Sequence, residues 1–237
     1  MLEPREPVQG ATRNEPELPS LFLYLLNQLS KAVISQFISE SSADTRTADS
    51  IGQVVAKVFS EDDFLWRGKP LIDIVIAKYR VVCPVLFGLR GNEKMEQGRL
   101  RLGWQRDKTT GAWASEQEHH NRMTGLGAGF AAMTLRDFSK VKRQNPWPPT
   151  AYWTAMAGII STPAGDISET QCTVLKAMIA DCEQKFVNFY GNAAVAALRC
   201  ALVDFPARVN PQTTASSSLR VLAKTLERAT GLRLTPR

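Results

Sequence analysis

The chain has 237 residues, of which 44% are hydrophobic and 22% are charged, and its formal net charge is +6 at pH 7. This length and this hydrophobic content suffice for one sizeable core. The sequence has no run of about 18 consecutive apolar residues that could span a bilayer, and its first residues lack the apolar centre of a signal peptide. We therefore expect neither secretion nor a membrane partner.

The net charge is distributed unevenly along the chain. Residues 1–64 contain 5 Lys and Arg against 10 Asp and Glu, whereas residues 65–237 contain 24 against 13, so the two parts carry −5 and +11. A basic body of this kind suits an anionic partner, which can be nucleic acid, a polyphosphate or an acidic protein surface. Charge alone does not choose among these three classes.

The N-terminal part changes character at residue 18. Residues 1–17 are rich in Pro and Glu and have no apolar period, so we expect a disordered leader or the cut end of a longer protein. The next stretch, LPSLFLYLLNQLSKAVISQFISES, predicts a long helix that is apolar around nearly its whole circumference. Such a helix is expected to be buried among others. We assign residues 18–237 to a single helical domain.

The following elements are an amphipathic helix near Ala48–Ser60 and the apolar segment LIDIVIAKYRVVCPVLFG at residues 71–88. The length of this segment favours a helix over residues 70–82, although its β-branched residues would also suit a strand. Pro84 lacks an N–H and disfavours helical geometry at Cys83, so the helix is expected to end there.

A short basic element at residues 93–106 precedes the next predicted helix, which extends to about Asp137. Ser115 and Glu118 have the spacing of a capping box at its start. The sequence GLGAGF inside this helix resembles a nucleotide-binding loop, but it does not follow a strand and lacks the Lys and Ser/Thr of a P-loop. We favour close helix packing by the glycines, with a phosphate-binding loop as the alternative.

The C-terminal part predicts helices only, and the whole chain shows no alternation of strands and helices. Gly191 and Pro206 are expected to end helices. This pattern predicts an all-α fold, an irregular HEAT-like stack of antiparallel helices. The predicted C-terminal helices are Tyr152–Ile160, Glu169–Tyr190, Asn192–Phe205 and Ser216–Gly231.

No catalytic or metal-binding pattern is present in the sequence. It lacks GxSxG, HExxH and any recognisable pair of catalytic carboxylates, so we expect no enzyme. His119 and His120 are adjacent and would point about 100° apart on a helix, so we expect no metal site. The spacings of the four cysteines match neither a zinc nor a redox motif, and we expect buried reduced thiols. These are Cys83, Cys172, Cys182 and Cys200.

Several cations interrupt the most apolar helices, namely Lys31, Lys78 and Arg80, and Arg122 follows a basic element that contains Arg106. A charge in an apolar helix is costly unless it is paired or reaches water. Salt bridges or snorkelling would explain each cation alone. Convergence on one bound polyanion would explain them together.

A second basic cluster follows the helix that contains Arg122. Arg122 and Arg136 are 14 residues apart, which is about 21 Å along a helix, so the two clusters should form separate patches. The second cluster is either a solvated loop or a contact for an acidic protein or RNA. Its members are Arg136, Lys140, Lys142 and Arg143.

Several motifs together resemble the C-terminal domain of a known family, the nuclear-pore RNA-export mediator Gle-one, also called the GLFG-lethal factor. These motifs are LYLLNQLSKAVISQ, IAKYRVVCPVLFG, GRLRLGW, NRMTGLGAGF and YWTAMAGIISTP, and the resemblance extends from about residue 18 to the C-terminus. It implies a HEAT-like fold similar to the middle domain of the translation-initiation scaffold. It also implies a non-catalytic mRNA export factor that binds inositol hexakisphosphate.

The same resemblance implies partners and a location. The domain is expected to dock on a DEAD-box RNA helicase at the cytoplasmic face of the nuclear pore complex and to promote its ATPase. The resemblance also implies an FG nucleoporin segment as a partner, possible binding of translation initiation or termination factors, and a location that includes the cytoplasm. Phe189 and Tyr190 are candidate nucleoporin contacts. A helical RNA-binding or translation-type scaffold without polyphosphate dependence is the alternative, although we expect no strong direct nucleic-acid binding.

Position by position, the resemblance places phosphate-binding residues at Lys31, Lys78 and Arg122. Val81 and Val82 stand where better-known members of the family have two lysines. Their absence means that Arg80, Arg101 or Arg106 would have to compensate. The expected inositol-polyphosphate site is therefore Lys31, Lys78, Arg80, Arg106 and Arg122.

Overall fold

The computed structural model describes residues 18–42 and 44–234, so the prediction of a disordered leader at residues 1–17 lies outside the described part of the chain. Within this part the chain forms eleven α-helices and one short antiparallel hairpin, in which β1 (Leu65–Trp66) pairs with β2 (Lys69–Pro70). The helices are α1 (Ser20–Glu40), α2 (Thr47–Phe59), α3 (Asp73–Val82), α4 (Glu96–Arg101), α5 (Glu116–Thr134), α6 (Pro149–Ile160), α7 (Glu169–Ile179), α8 (Glu183–Tyr190), α9 (Asn192–Arg199), α10 (Phe205–Ala207) and α11 (Thr214–Thr230).

The predicted all-α class is confirmed, and the helices stack around α5. This helix packs most extensively against α7, and then against α2 and α1. Beside it, the ring of Trp147 lies 4.8 Å from that of Phe130 and 5.7 Å from that of Tyr79, both in edge-on geometry. Large aromatic side chains bury roughly 150–250 Å² each, so this cluster contributes much of the apolar burial that holds α3 and α5 together.

The glycines of GLGAGF pack helices together, as the sequence favoured. A Cβ at Gly125 would collide with the carbonyl oxygen of Phe37, and one at Gly129 would lie 2.5 Å from the Phe37 ring. On the other side of α5, a Cβ at Gly127 would meet the Val174 carbonyl oxygen of α7 at 2.9 Å. The glycines therefore let α1 and α7 approach α5 at backbone distance.

Two predicted boundaries are confirmed by the local chemistry. Ser115 caps α5 by accepting a hydrogen bond from the Glu118 amide, and Glu118 accepts one from the Ser115 amide. The helix α3 ends at Val82, one residue before Cys83 and Pro84, as the proline rule requires.

Two other boundaries were predicted wrongly. The expected continuous helix Glu169–Tyr190 is interrupted after Ile179, where Asp181 adopts a left-handed backbone with φ 61°, a conformation that Asp tolerates better than most residues. The chain also remains helical past Pro206 to Ala207. A π-helical turn at Cys200–Asp204 shifts the hydrogen-bond register, and Pro206 then lies in the first turn of α10, where its missing N–H is tolerated.

Burial departs from prediction at α1. One face of this helix packs in the core through Leu26, Val33 and Phe37, but its N-terminal half exposes Leu21 and Leu25, so burial all round was a wrong prediction. Among the described residues α1 alone is long and apolar enough to cross a bilayer. Its core face nevertheless packs against α2, α3 and α5, as in the core helix of a globular domain.

Three of the four cysteines are buried free thiols, as predicted, and Cys200 is exposed, which was not. Burial raises the pKa of Cys83 and of Cys172 to about 12, and that of Cys182 to about 11. These three thiols therefore stay protonated and pack as small apolar groups.

Candidate anion-binding site

Arg122 is the most deeply placed cation of the predicted site. It lies two turns into α5, only 8% exposed, and its Nη1 donates a 2.7 Å hydrogen bond to the carbonyl oxygen of Gly103. Its Nε is buried and has no acceptor among the described residues. Burial lowers the pKa of this guanidinium from its ordinary value. A buried cation with a spare donor is stabilised when an anionic acceptor reaches it.

Arg122 lines an open cavity of about 1010 Å³, which we call the Arg122 cavity. Arg106 lines it too and is held in place by Glu96, at 2.6 Å from its Nη1, and by the ring of Trp113. Lys108 also lines the cavity, is exposed and has no ion pair among the described residues. The predicted residues Arg106 and Arg122 therefore meet in one cavity, and Lys108 adds a third cation.

A neutral aromatic stack supports one wall of the Arg122 cavity. The rings of His119 and Trp104 are parallel within 14° at 4.0 Å, and His119 Nε2 lies 2.8 Å from Thr170 Oγ1. Burial, followed by the charges of His120 and Arg122, lowers the pKa of His119 to about 3. His119 is therefore uncharged near neutral pH, and the positive charge of the cavity comes from its arginines and Lys108.

Lys31 and Lys78 lie together on the groove between α1 and α3. Lys78 Nζ donates a 2.5 Å hydrogen bond to Oδ1 of Asn27 on α1. Lys31 follows Asn27 by one helical turn, about 6 Å along the axis, and has no ion pair among the described residues. Two of the predicted phosphate-binding residues thus lie near the contact between α1 and α3, which we call the α1–α3 groove.

The C-terminal part of α1 reaches the Arg122 cavity. Ile38, two turns beyond Lys31 and about 10.5 Å along α1, lines that cavity. At the end of α3, the carbonyl oxygen of Val82 lies against Gly103, the residue that accepts the Arg122 hydrogen bond. Val81 at this end of α3 is 75% exposed. Lys31 and Ile38 therefore lie on one side of α1, and Val81 is an exposed neutral side chain at the end of α3.

Arg80 is not brought to this surface. Two residues from Lys78 on a helix means a rotation of about 200°, and the Arg80 guanidinium lies 5.3 Å from the Phe87 ring at a different cavity, which α6 also lines. Arg101 lines yet another cavity, together with Arg90. Of the three arginines expected to compensate for the valine pair, Arg106 alone shares a cavity with Arg122.

Arg136 and Arg143 of the second basic patch line another cavity of about 800 Å³, the Arg136 cavity, and both arginines are paired. Arg136 donates to Asp49 at 2.8 Å and to the Ala132 carbonyl oxygen at 2.7 Å, and Lys185 also binds Asp49. Arg143 pairs with Glu61. The exposed side chains Lys140 and Lys142 have no ion pair among the described residues.

Lys108 is the cation that sequence reasoning missed. It lies in the turn DKTTGA, where Asp107 accepts hydrogen bonds from the amides of Thr109 and Thr110 and so fixes the loop. An Asp followed by small hydroxyl residues and Gly signals such a turn, but it gives no information about which helix the turn approaches.

The fold and the site define a class of protein, an all-α domain of stacked helices with an open cavity lined by Arg106, Lys108 and Arg122. The chain belongs to the GLE1-like protein family, whose model matches residues 1–202. It is 61% identical over 234 residues to the mRNA export factor GLE1 of Chaetomium thermophilum. That match covers 99% of this chain and 44% of the relative, so the chain spans less than half of the relative's length.

Solved structures of the same fold come from Saccharomyces cerevisiae. One contains the Dbp5 L327V C-terminal domain bound to Gle1 and IP6, with a TM-score of 0.78 and 22% identity over 90% of this chain and 70% of that one. A second contains Gle1 H337R in the same kind of complex, with a TM-score of 0.78 and 21% identity over 91% of this chain and 73% of that one. At this identity the likeness shows the fold.

Proposed function

We propose that this domain is a non-enzymatic mRNA export factor that stimulates the ATPase of a DEAD-box RNA helicase, with inositol hexakisphosphate as a bridge. Family membership and the name of the 61% identical relative support the export role. The two similar structures are complexes of Dbp5 with Gle1 and IP6, which supports the helicase and the ligand. The observation that carries the proposal is the placement of Arg106, Lys108 and Arg122 around one open cavity, where Arg122 has no carboxylate partner among the described residues.

The ligand would be held by charge-assisted hydrogen bonds from two groups of cations. Lys31 and Lys78 would bind phosphates at the groove, and Arg106, Lys108 and Arg122 would bind others at the cavity. A polyphosphate presents many acceptors at once, so it can pair cations that α1, α3 and α5 supply separately. When bound, it would offer its outward phosphates to cations of the helicase. Its affinity should fall with salt because both ends are electrostatic.

The direct test is the ATPase rate of the helicase with and without this domain, at low salt and with inositol hexakisphosphate. We expect stimulation that depends on the ligand. Absence of stimulation under these conditions would contradict the proposed function.

Calorimetric titration of the domain with inositol hexakisphosphate tests the site itself. Lys31→Gln and Arg122→Gln should each weaken binding about tenfold, since each removes a charged donor, while the domain stays folded. Lys140→Gln, an exposed unpaired lysine outside the groove and the Arg122 cavity, is the matched control and should bind as the wild type does. Wild-type affinity in both site variants would mean that the ligand binds elsewhere.

Other parts of the proposal concern location and further partners. We place the domain at the cytoplasmic face of the nuclear pore complex and in the cytoplasm, where translation initiation or termination factors are possible partners. An FG nucleoporin segment would contact Phe189, which lines the Arg136 cavity, whereas Tyr190 packs on Trp153 with ring centroids 4.8 Å apart. Loss of nucleoporin binding in Phe189→Ala but not in Tyr190→Phe would support this surface.

The alternative of direct RNA binding rests on the Arg136–Arg143 patch. Pairing of Arg136 with Asp49 and of Arg143 with Glu61 leaves Lys140 and Lys142 as its unpaired members, so the geometry favours the polyphosphate site instead. RNA retention by the isolated domain with a steep salt dependence would support the alternative.

A further inference from the structure

The loop of residues 105–112 borders the Arg122 cavity and is exposed at every residue except Gly111, which is half-buried. A bridge between Arg106 and Trp113 closes the loop. Inside it, Asp107 accepts hydrogen bonds from two loop amides. The loop therefore has a held backbone and side chains that an enzyme can reach.

The loop contains two adjacent threonines whose hydroxyl groups differ. Thr110 Oγ1 donates a 3.0 Å hydrogen bond to Oδ1 of Asp107 and accepts a 3.3 Å one from the amide of Ala112. The Thr109 hydroxyl has no hydrogen-bond partner among the described residues, and Thr109 lines the Arg122 cavity. Thr110 therefore supports the turn, whereas Thr109 presents an accessible hydroxyl at the wall of the cavity.

Basic residues precede Thr109 at positions that suit a protein kinase. Arg106 lies three residues before it and Lys108 immediately before it. Arginine-directed kinases bind an arginine at the third position before the hydroxyl through carboxylates of their own, a geometry that suits the guanidinium fork. The side chain of Arg106 is 48% exposed, and its ion pair with Glu96 is a surface pair, so it can exchange for a kinase carboxylate at little cost.

We propose that Thr109 is phosphorylated by an arginine-directed protein kinase and that the phosphate opposes polyphosphate binding at the Arg122 cavity. This inference rests on the proposed function, because it adds regulation to the same site. In the transfer, Thr109 Oγ1 attacks the γ-phosphorus of ATP and the bond from this phosphorus to the β–γ bridging oxygen breaks. ADP leaves, and the hydroxyl proton passes to a carboxylate base of the kinase.

A phosphate on Thr109 would act on the cavity in two ways. It carries a charge of about −1.5 to −2 at neutral pH and accepts charge-assisted hydrogen bonds, so it would compete for the cations of the cavity. Its charge would also repel an incoming polyphosphate. The cations that it would neutralise are Arg106, Lys108 and Arg122.

The first test is treatment of the domain with ATP and the catalytic domain of calmodulin-dependent protein kinase, an arginine-directed enzyme. Mass spectrometry should find phosphate on Thr109 in the wild type and in Thr110→Ala, and none in the loop of Thr109→Ala. Arg106→Gln should slow transfer to Thr109 at least about tenfold, because the kinase loses its charge-assisted contact. Absence of phosphate on Thr109 of the wild type would contradict the inference.

The second test is calorimetric titration of the phosphorylated domain with inositol hexakisphosphate. Phosphorylation of Thr109 should weaken binding at least about tenfold, and Thr109→Glu, which adds a smaller charge, about two- to fivefold. Thr225 is exposed on α11 and lines neither the Arg122 cavity nor the Arg136 cavity, so Thr225→Glu is the matched control and should bind as the wild type does. Thr109→Ala should retain the wild-type affinity and thermal midpoint.

The outcomes separate this inference from the proposed function. If the unphosphorylated domain binds inositol hexakisphosphate and the phosphorylated domain binds it equally, the inference is wrong while the proposed function stands. If the unphosphorylated domain does not bind this ligand, both are wrong. If Thr225→Glu weakens binding as much as Thr109→Glu does, the effect reflects net charge alone, and the inference is again wrong.

Discussion

The Arg122 cavity and the Arg136 cavity are each lined by arginine and lysine residues, and they differ in how many of these cations form ion pairs. In the Arg136 cavity, Asp49 accepts from both Arg136 and Lys185. In the Arg122 cavity, Arg122 has a backbone carbonyl as its hydrogen-bond partner, and Lys108 has no ion pair among the described residues. The two cavities have similar numbers of basic residues. They differ in the number of basic residues that lack an ion pair among the described residues, and this number is larger relative to the total in the Arg122 cavity.

This difference assigns the two arginines opposite physical roles. Arg136 ties α2 to the end of α5 through Asp49, so its charge stabilises the fold. Arg122 is buried and has no carboxylate partner among the described residues, so under the proposed function its charge would serve a ligand. Stability measurements and binding measurements should therefore respond to different residues.

The largest expected effect is on stability, in the pair Arg136→Met and Arg122→Met. Removing Arg136 leaves Asp49 to Lys185 alone and frees the Ala132 carbonyl, so the free energy of unfolding should fall by about 2 kcal/mol. Arg122→Met removes a buried charge without a carboxylate partner among the described residues but frees the Gly103 carbonyl, so the fall should be smaller, about 1 kcal/mol. Urea denaturation of both variants measures the difference.

Lys140→Met serves as the control for this pair, since an exposed lysine without an ion pair should change stability by less than about 0.5 kcal/mol. Equal destabilisation by Arg136→Met and Arg122→Met would contradict the view that Arg136 contributes more to the stability of the fold than Arg122 does.

A smaller effect is expected from restoring a lysine at the valine edge. Val81→Lys adds a cation at the end of α3, near Arg122, and should tighten inositol hexakisphosphate binding about two- to fivefold, the range of an exposed charge contact. Val141→Lys adds the same charge beside the Arg136 cavity, where Val141 is exposed. Titration of both variants at one salt concentration should show tighter binding in Val81→Lys and wild-type affinity in Val141→Lys.

The smallest effect is a pH dependence confined to the paired patch. Burial raises the pKa of Asp49, but the hydrogen bond from Lys185 and the charge of Arg136 outweigh it and hold this pKa below its ordinary value of 3.8. A carboxyl whose pKa is lowered by folding contributes stability above its unfolded pKa, and this contribution is lost as the pH falls through the folded pKa.

The stability difference between the wild type and Asp49→Asn should therefore shrink as the pH falls below about 4, as monitored by urea denaturation at successive pH values. Arg122 has no carboxylate partner in the part of the chain that the structure describes, so the difference between the wild type and Arg122→Met should stay constant over the same window. A constant difference for Asp49→Asn would mean that this carboxyl is not held by its cations.

Local signals predicted the helices well, because their causes lie within a few residues. The capping box at Ser115 and the proline after Cys83 act through their immediate neighbours, and both boundaries are where the sequence placed them. The glycines of α5 also predicted close helix packing, but the sequence did not indicate which helices they contact. The break at Asp181 was missed because an αL residue other than glycine has a weak sequence signature.

The candidate site was predictable in residue type and unpredictable in geometry. Asp49 lies 87 residues from Arg136, and Glu61 lies 82 residues from Arg143, so nothing local shows that these cations are paired. The direction of Arg80 depends on which side of α3 meets α6, which helical periodicity alone does not decide for so apolar a segment. The exposure of Leu25 was missed for the same reason. An apolar side chain is buried only where another element packs against it, and the sequence of α1 does not show which of its faces is covered.

The glycine contacts between α1 and α5 have a consequence for ligand size. Gly125 and Gly129 clasp Phe37 so closely that neither helix can slide along the other without a steric clash. Lys31 lies on α1 and Arg122 on α5, so this contact fixes the distance between them. If both bind phosphates as proposed, a phosphate compound too small to span this distance would contact one of them at a time and bind more weakly.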